Sequence, residues 1–206
     1  MTKIKLCGLS RPCDIAAANA LRPEYIGFVF APQSKRYVSP QTAAKLRAAL
    51  HPSIQAVGVF VNTPVETVAS LLQQGIIDIA QLHGSEDAGY IARLRALADN
   101  PILQAFRISC QEDVEQARQS TADYILLDAG AGAGNPFDWA LLAGMDRPYF
   151  LAGGLDSDQV GAAIAAWHPY GVDVSSGIET NGLKEETKMA AFVAAVRKEH
   201  RTEYDI

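Results

Sequence analysis

The sequence has few cysteines, no excess of positive charge and no long apolar run. Its three cysteines, Cys7, Cys13 and Cys110, are odd in number and not spaced like metal ligands. That argues against a disulfide scaffold and suits a reducing, cytoplasmic compartment. Lys and Arg total 18 against 23 Asp and Glu, a formal net charge of −5, so no general basic field favours nucleic acid. An anionic ligand then has to be held by local groups, such as helix N-termini or single arginines. No stretch approaches the roughly 18 apolar residues of a membrane span. The opening Met1-Thr-Lys-Ile-Lys-Leu-Cys-Gly8 lacks the apolar region and small-residue cleavage pattern of a signal peptide. Neither nucleic acid nor a membrane is expected as a partner. The run Gly130-Ala-Gly-Ala-Gly134 has neither the lysine of a P-loop nor the spacing of a dinucleotide fingerprint, and reads as a loop able to close over a ligand.

What is present is a regular alternation of short apolar runs and longer amphipathic stretches. Strands are expected at 3–7, 25–30, 56–61, 78–82, 102–107, 124–127, 149–152 and 171–174, each mostly apolar on both faces as a buried parallel strand requires. Helices are expected at 12–21, 40–50, 64–74, 85–98, 112–119, 158–167 and 185–199, with a weaker one at 138–142. Ser10, Ser39 and Thr63 stand just before first-turn prolines and read as hydroxyl caps, and Ser85-Glu-Asp87 puts acids where a helix dipole favours them. Eight strands each followed by a helix is the count of a (β/α)8 TIM barrel, an α/β fold, here near the lower size limit of about 200 residues. No linker or composition shift divides the 206 residues, so a single domain is expected over 1–206, with a loose tail from about His200.

Function in such a barrel sits at the C-terminal ends of the strands. Polar residues collect there: Cys7-Gly8 after the first strand, Ser34-Lys-Arg36 after the second, Gln81-Leu-His83 at the fourth and Arg107 at the fifth. Asp128 follows at the sixth, Gly153-Gly154 after the seventh, and Asp173 with Ser175-Ser-Gly177 at the eighth. The Gly153-Gly154 and Ser175-Ser176-Gly177 turns occupy the positions where barrels bind phosphate through backbone N–H groups, although glycine is common in ordinary turns too. From position alone, a buried Cys7 is more often a small hydrophobe than a thiolate base. Asp128 ends an apolar run, costly for a charge, and reads either as an acid or as the cap of the next loop. Arg36 is a solvated charge or a bidentate carboxylate clamp, and His83 is a core histidine or a site residue.

Several segments together resemble the phosphoribosylanthranilate isomerase family: Lys5-Leu-Cys-Gly-Leu-Ser10, Gly27-Phe-Val-Phe30, Ser34-Lys-Arg-Tyr-Val-Ser-Pro40, Val57-Gly-Val-Phe-Val-Asn62 and Gln81-Leu-His-Gly84. The later ones are Leu126-Leu-Asp128, Phe137-Asp-Trp139, Leu151-Ala-Gly-Gly-Leu155 and Val172-Asp-Val-Ser-Ser-Gly-Ile-Glu179. Their order and spacing span nearly the whole chain. Two segments depart from the family pattern, the glycine–alanine run after Asp128 and Gly182-Leu-Lys-Glu185.

The resemblance implies an Amadori rearrangement of N-(5′-phosphoribosyl)anthranilate, a step of tryptophan biosynthesis. It implies Cys7 as general base, Asp128 as general acid and Arg36 as the holder of the anthranilate carboxylate. Gln81, His83 and Arg107 would line the pocket, Asp173 would lie near the ribose or amine, and Gly154, Ser175 and Ser176 would bind phosphate. The partner expected is therefore a small phosphorylated aminoaldose, handled by a monomer or homodimer without metal or redox cofactor. A related histidine-pathway isomerase generally has an aspartate at the first-strand base position, which Cys7 argues against. A catalytically dead barrel acting as a sensor would bind ligand without turnover.

Overall fold

The computed structural model describes residues 1–128, 139–142 and 144–202. Eight parallel strands close into a barrel in the order of the chain: β1 (Lys3–Cys7), β2 (Tyr25–Val29), β3 (Gln55–Phe60), β4 (Ile79–Leu82), β5 (Ile102–Arg107), β6 (Tyr124–Asp128), β7 (Tyr149–Ala152) and β8 (Gly171–Val174). The outer ring holds α1 (Pro12–Leu21), α2 (Pro40–Ala49), α3 (Val65–Gln73), α4 (Ala88–Leu97), α5 (Gln111–Arg118), α6 (Val160–Trp167) and α7 (Glu186–Thr202). Between β6 and β7 the described residues hold only a 3-10 turn, Trp139–Leu142, where a weak helix was expected. The expected loop 130–135 and the Phe137-Asp138 part of its motif lie outside the described residues. The last helix runs past the expected 199 to Thr202, so the start of the anticipated tail is helical, and 203–206 also lie outside. A short hairpin, β9 (Glu179–Thr180) with β10 (Leu183–Lys184), follows β8 and was not expected. Among the described residues no helix is long and apolar enough to cross a membrane.

The alternation of side chains along each strand separates two cores. Ile4 and Leu6 of β1, Ile26 and Phe28 of β2, Ala56 and Phe60 of β3, and Ile125 and Leu127 of β6 face outward against the helices. The opposite phase faces the barrel axis. At its lower end Tyr25, Val57, Ile79, Leu103, Leu126 and Phe150 pack together, capped by Tyr124 and Tyr170. Phe150 meets Tyr25, Tyr124 and Tyr170 edge-on at centroid distances of 5.5, 6.0 and 5.4 Å, closing the N-terminal end with an aromatic plug. Each such ring removed from water contributes about 1.5–3 kcal/mol. At the upper end the same phase brings up Cys7, Val29 and Val59.

Capping follows the expectation at one helix and departs from it at others. Ser39 Oγ accepts from Thr42 N–H, as expected of a hydroxyl before Pro40. Ser10 is not the cap of α1; Asp14 accepts the N–H groups of Ser10 and Arg11 instead, because an acid in the first turn can reach back to them. Thr63 does not cap α3 either, since Pro64 occupies the cap position and has no side-chain acceptor. Of the acids at 86 and 87, Asp87 caps α4 through Tyr90 N–H. Glu86 turns inward and accepts from Asn62 and Gly84 N–H groups at 2.6 and 2.7 Å, tying the loops after β3 and β4 together.

Candidate active site

The aromatic plug leaves the barrel open at one end. There a cavity of about 420 Å³ is lined by Cys7, Arg36, Gln81, His83, Asp128 and Asp173, by Gly153 and Gly154, and by Ser175 and Ser176. Ten residues singled out from strand-end positions therefore share one space. The apolar wall is Val29, Val59 and Val61, a surface suited to a flat aromatic ring.

Cys7 is the last residue of β1 and only 7 % exposed. Opposite it in register stands Gly27 of β2, and a Cβ there would lie 2.7 Å from Cys7 Sγ. The missing side chain is what makes room for the thiol. Burial pushes the thiol pKa up, while the charges of Lys5 and Lys184 pull in the other direction; the net direction is upward. Positive charge close to the sulfur favours its thiolate, and burial opposes it.

Asp128 ends β6, two strands from β1 across β7 and β8. His83 Nε2 lies 3.5 Å from Asp128 Oδ2, an electrostatic contact rather than a good hydrogen bond. Gln81 Nε2 stands 3.2 Å from His83 Nδ1. With the amide nitrogen donating, Nδ1 accepts and the imidazole proton sits on Nε2, facing the carboxylate. Gln81 is buried, and its Oε1 has no hydrogen-bond partner among the described residues. An acceptor is thereby left at the cavity wall for a ligand hydroxyl or amine.

The guanidinium of Arg36 enters the cavity from the loop after β2, but its fork is engaged. Nε and Nη2 donate to the two oxygens of Glu179 at 2.5 and 2.9 Å. Glu179 also accepts from Lys184 Nζ at 2.7 Å and faces Lys35 at 3.5 Å. Burial pushes its carboxyl up, but the hydrogen bonds and charges of Arg36 and Lys184 outweigh that and hold it at about 2. Lys184 spends its other donors on Ser175, at 2.8 Å to the carbonyl and 3.2 Å to Oγ. The β9–β10 hairpin thus places one carboxylate and one ammonium between Arg36 and the loop after β8.

In the β7 and β8 loops, Gly153 and Gly154 adopt φ of 101° and 69°, a region that strains any other residue. Ser175 and Ser176 lie beside them, Ser176 opening a 3-10 turn with Ile178 at its end. Gly177, expected to bind phosphate, is not among the cavity residues. A Cβ on it would fall 2.0 Å from the Leu155 carbonyl oxygen, so its role is to let the two loops touch. Arg107 also departs from expectation: it is exposed at the end of β5 and is not among the residues lining the cavity, although its register partner Asp128 is. Asp173 lines the cavity, yet one of its oxygens is taken by the ammonium of Lys5 at 2.9 Å.

Sequence reading passed over Lys5, Lys184 and the role of Glu179. For Lys5 the signal was available: a lysine in the middle of a strand otherwise buried, two residues before Cys7. For Lys184 and Glu179 it was not, since their meeting depends on the hairpin.

Over residues 4–195 the chain matches the model of the N-(5'phosphoribosyl)anthranilate (PRA) isomerase family. An N-(5'-phosphoribosyl)anthranilate isomerase of Endomicrobium trichonymphae is 41 % identical, over 96 % of this chain and 99 % of the relative. One from Dechloromonas aromatica is 43 % identical, over 96 % and 97 %. The crystal structure of the phosphoribosyl anthranilate isomerase from Thermotoga maritima superimposes with a TM-score of 0.89 at 32 % identity, covering 96 % of this chain and all (100 %) of that one. A phosphoribosyl anthranilate isomerase in complex with reduced 1-(o-carboxyphenylamino)-1-deoxyribulose 5-phosphate gives a TM-score of 0.87 at 31 % identity, with 96 % and 100 % covered. With the cavity at the strand ends and these matches running through nearly its full length, the chain belongs to the N-(5'-phosphoribosyl)anthranilate isomerase family.

Proposed function

We propose that this chain isomerises N-(5′-phosphoribosyl)anthranilate to 1-(o-carboxyphenylamino)-1-deoxyribulose 5-phosphate, with Cys7 as general base and Asp128 as general acid. The observation that carries the reading is that a thiol and a carboxyl group line one cavity from strands separated by only two others, between groups suited to both ends of such a substrate. Gly153, Gly154, Ser175 and Ser176 take the phosphate through backbone N–H groups and hydroxyls. Gly177 packs those two loops together, and Arg107 lies exposed at the end of β5, outside the cavity lining. Arg36 takes the anthranilate carboxylate on the donors that Glu179 leaves over, since a guanidinium has five N–H groups. Gln81 and His83 meet the ribose portion, and Asp173 lies near the ribose or amine.

Chemistry follows from the positions. Protonated Asp128 gives its proton to the furanose ring oxygen, and the C1′–O bond breaks to leave an open-chain iminium. That cation acidifies the C2′ proton and also supplies positive charge beside the buried thiol, favouring the thiolate that removes the proton. The electron pair moves to give an enolamine, which tautomerises to the ketone. Anchors at both ends supply positioning, and the atoms balance without metal or redox cofactor. The barrel acts as one domain in the cytoplasm, as a monomer or homodimer.

Mixing purified protein with phosphoribosylanthranilate and following loss of the anthranilate-type fluorescence tests the activity. Turnover supports it; binding of the substrate with no turnover would leave a ligand-sensing barrel instead.

A further inference from the structure

One fully buried charge has no part in the chemistry just described. Lys5 is 0 % exposed, sits in the middle of β1 and does not line the cavity. Being two residues before Cys7, it projects to the same side of the strand, toward the barrel axis and directly below the thiol. Its register partner on β8 is Asp173, whose Oδ1 it holds at 2.9 Å. Its register partner on β2 is Tyr25 of the aromatic plug, and its side chain is fully buried. A bare ammonium in such a place costs far more than it returns unless it is paired and used.

We propose that Lys5 is a positioning residue for the proposed base: its ammonium, held by Asp173, supplies the fixed positive charge under Cys7 that lets a thiolate exist inside the barrel. The inference rests on the reading of Cys7 as base. The charged groups around the sulfur are Lys5 on β1, Asp173 on β8, Lys184 on β10 and Arg36 on the loop after β2. The two at hand beyond Lys5 are committed elsewhere. Arg36 is forked onto Glu179, and Lys184 is shared between Ser175 and Glu179. Lys5 donates to Asp173, and its ammonium also interacts with the thiol. Burial alone would strip its proton, but Asp173 and Cys7 outweigh burial and its pKa lies above the ordinary lysine value. The raised value keeps the ammonium charged where an ordinary lysine is charged. Asp173 acts with the opposite sign on the sulfur, raising the thiol's pKa while Lys5 lowers it. The pair is thus a graded charge, partly neutralised and aimed at Cys7.

The test uses protein in which the exposed Cys13 and Cys110 are replaced by serine, leaving Cys7 as the one thiol. Its thiolate is titrated by ultraviolet absorbance without substrate. Lys5→Met should lower the thiolate fraction at fixed pH about tenfold or more, and Asp173→Asn should raise it by a similar factor. In turnover, Lys5→Met should lower kcat about tenfold with KM little changed, because Lys5 does not itself line the cavity, and should move the alkaline rise of activity to higher pH. A merely structural pair would not shift one thiol in opposite directions. Titrations indistinguishable from the parent, or displaced in the same direction by both substitutions, overturn the proposal. If Lys5→Met does not fold, the Asp173→Asn titration decides alone; if neither folds, the pair is structural and the proposal falls. Opposite shifts in a protein whose Cys7→Ala variant still turns over would uphold the charge effect while overturning the base.

Discussion

The guanidinium of Arg36 is gripped by the protein's own Glu179, through two parallel bonds of 2.5 and 2.9 Å, at the mouth of the cavity. Sequence position leaves Arg36 either a solvated charge or a clamp for a carboxylate. In the structure it is a clamp already loaded with one. Glu179 fixes the orientation of this cavity-lining side chain, so it need not find its place at each binding event. Glu179→Gln should raise KM about tenfold and leave kcat within a few-fold, the loss expected when a charge-assisted fork worth about 1.5–3 kcal/mol no longer holds the side chain. Arg36→Met should raise KM further. Steady-state kinetics of the two variants decide it; an unaltered KM in Arg36→Met removes the carboxylate role.

The same carboxylate sets a limit on acid stability. Its value is about 2 in the folded chain against 4.5 when unperturbed. A folded value below the unfolded one stabilises the protein fully above 4.5, and the contribution fades as pH falls from there toward 2. Glu179→Gln lacks the group, and it leaves Arg36, Lys35 and Lys184 facing one another without their shared anion. Thermal melts at neutral pH should place the variant below the parent, and the two curves should converge as pH drops through that window. Parallel curves down to pH 2 would show that the clasp contributes nothing.

Cys7→Ala and Asp128→Asn should each lower kcat by about 10²–10⁴-fold with the fold intact, the usual worth of a positioned acid or base. Both side chains line the cavity, and neither anchors a helix. Near-parental turnover in either variant, with circular dichroism unchanged, would remove that residue from the mechanism.

Much of the barrel was legible because a parallel strand buried on both faces leaves a plain mark: the runs 3–7, 102–107, 149–152 and 171–174 coincide with β1, β5, β7 and β8. The cavity residues were legible for a related reason, since a polar residue at the end of an apolar run has few structural uses. Arg107 shows where that logic stops. It has the inward phase of Leu103 and Ala105, yet it is exposed and does not line the cavity, and which strand-end side chains reach the cavity is not written in periodicity. Glu179 and Lys184 were illegible as partners, because a two-residue-per-strand hairpin carries no periodic signal and yet decides what Arg36 holds. Ser10 and Thr63 failed as caps because Asp14 and Pro64 compete locally for the same positions, a contest between neighbours that the residue type alone does not decide.

Gly27 offers the sharpest test of how closely the thiol is fitted. It faces Cys7 across the β1–β2 ladder, and an added Cβ would lie 2.7 Å from Sγ and 3.1 Å from the Cys7 Cα. The first contact could be relieved by turning the side chain, but the second is with backbone and requires the strands to part. Overpacking of this kind costs about 1–3 kcal/mol, so Gly27→Ala should melt several degrees lower but remain folded. The effect on turnover should be larger than the effect on stability, because displacing a base by about 1 Å can cost about 10²-fold in rate. Stability and kcat measured on the same preparation separate the two effects. A variant that melts lower yet turns over at the parental rate would mean that the sulfur has freedom to move, and that its placement opposite Gly27 is packing rather than catalysis.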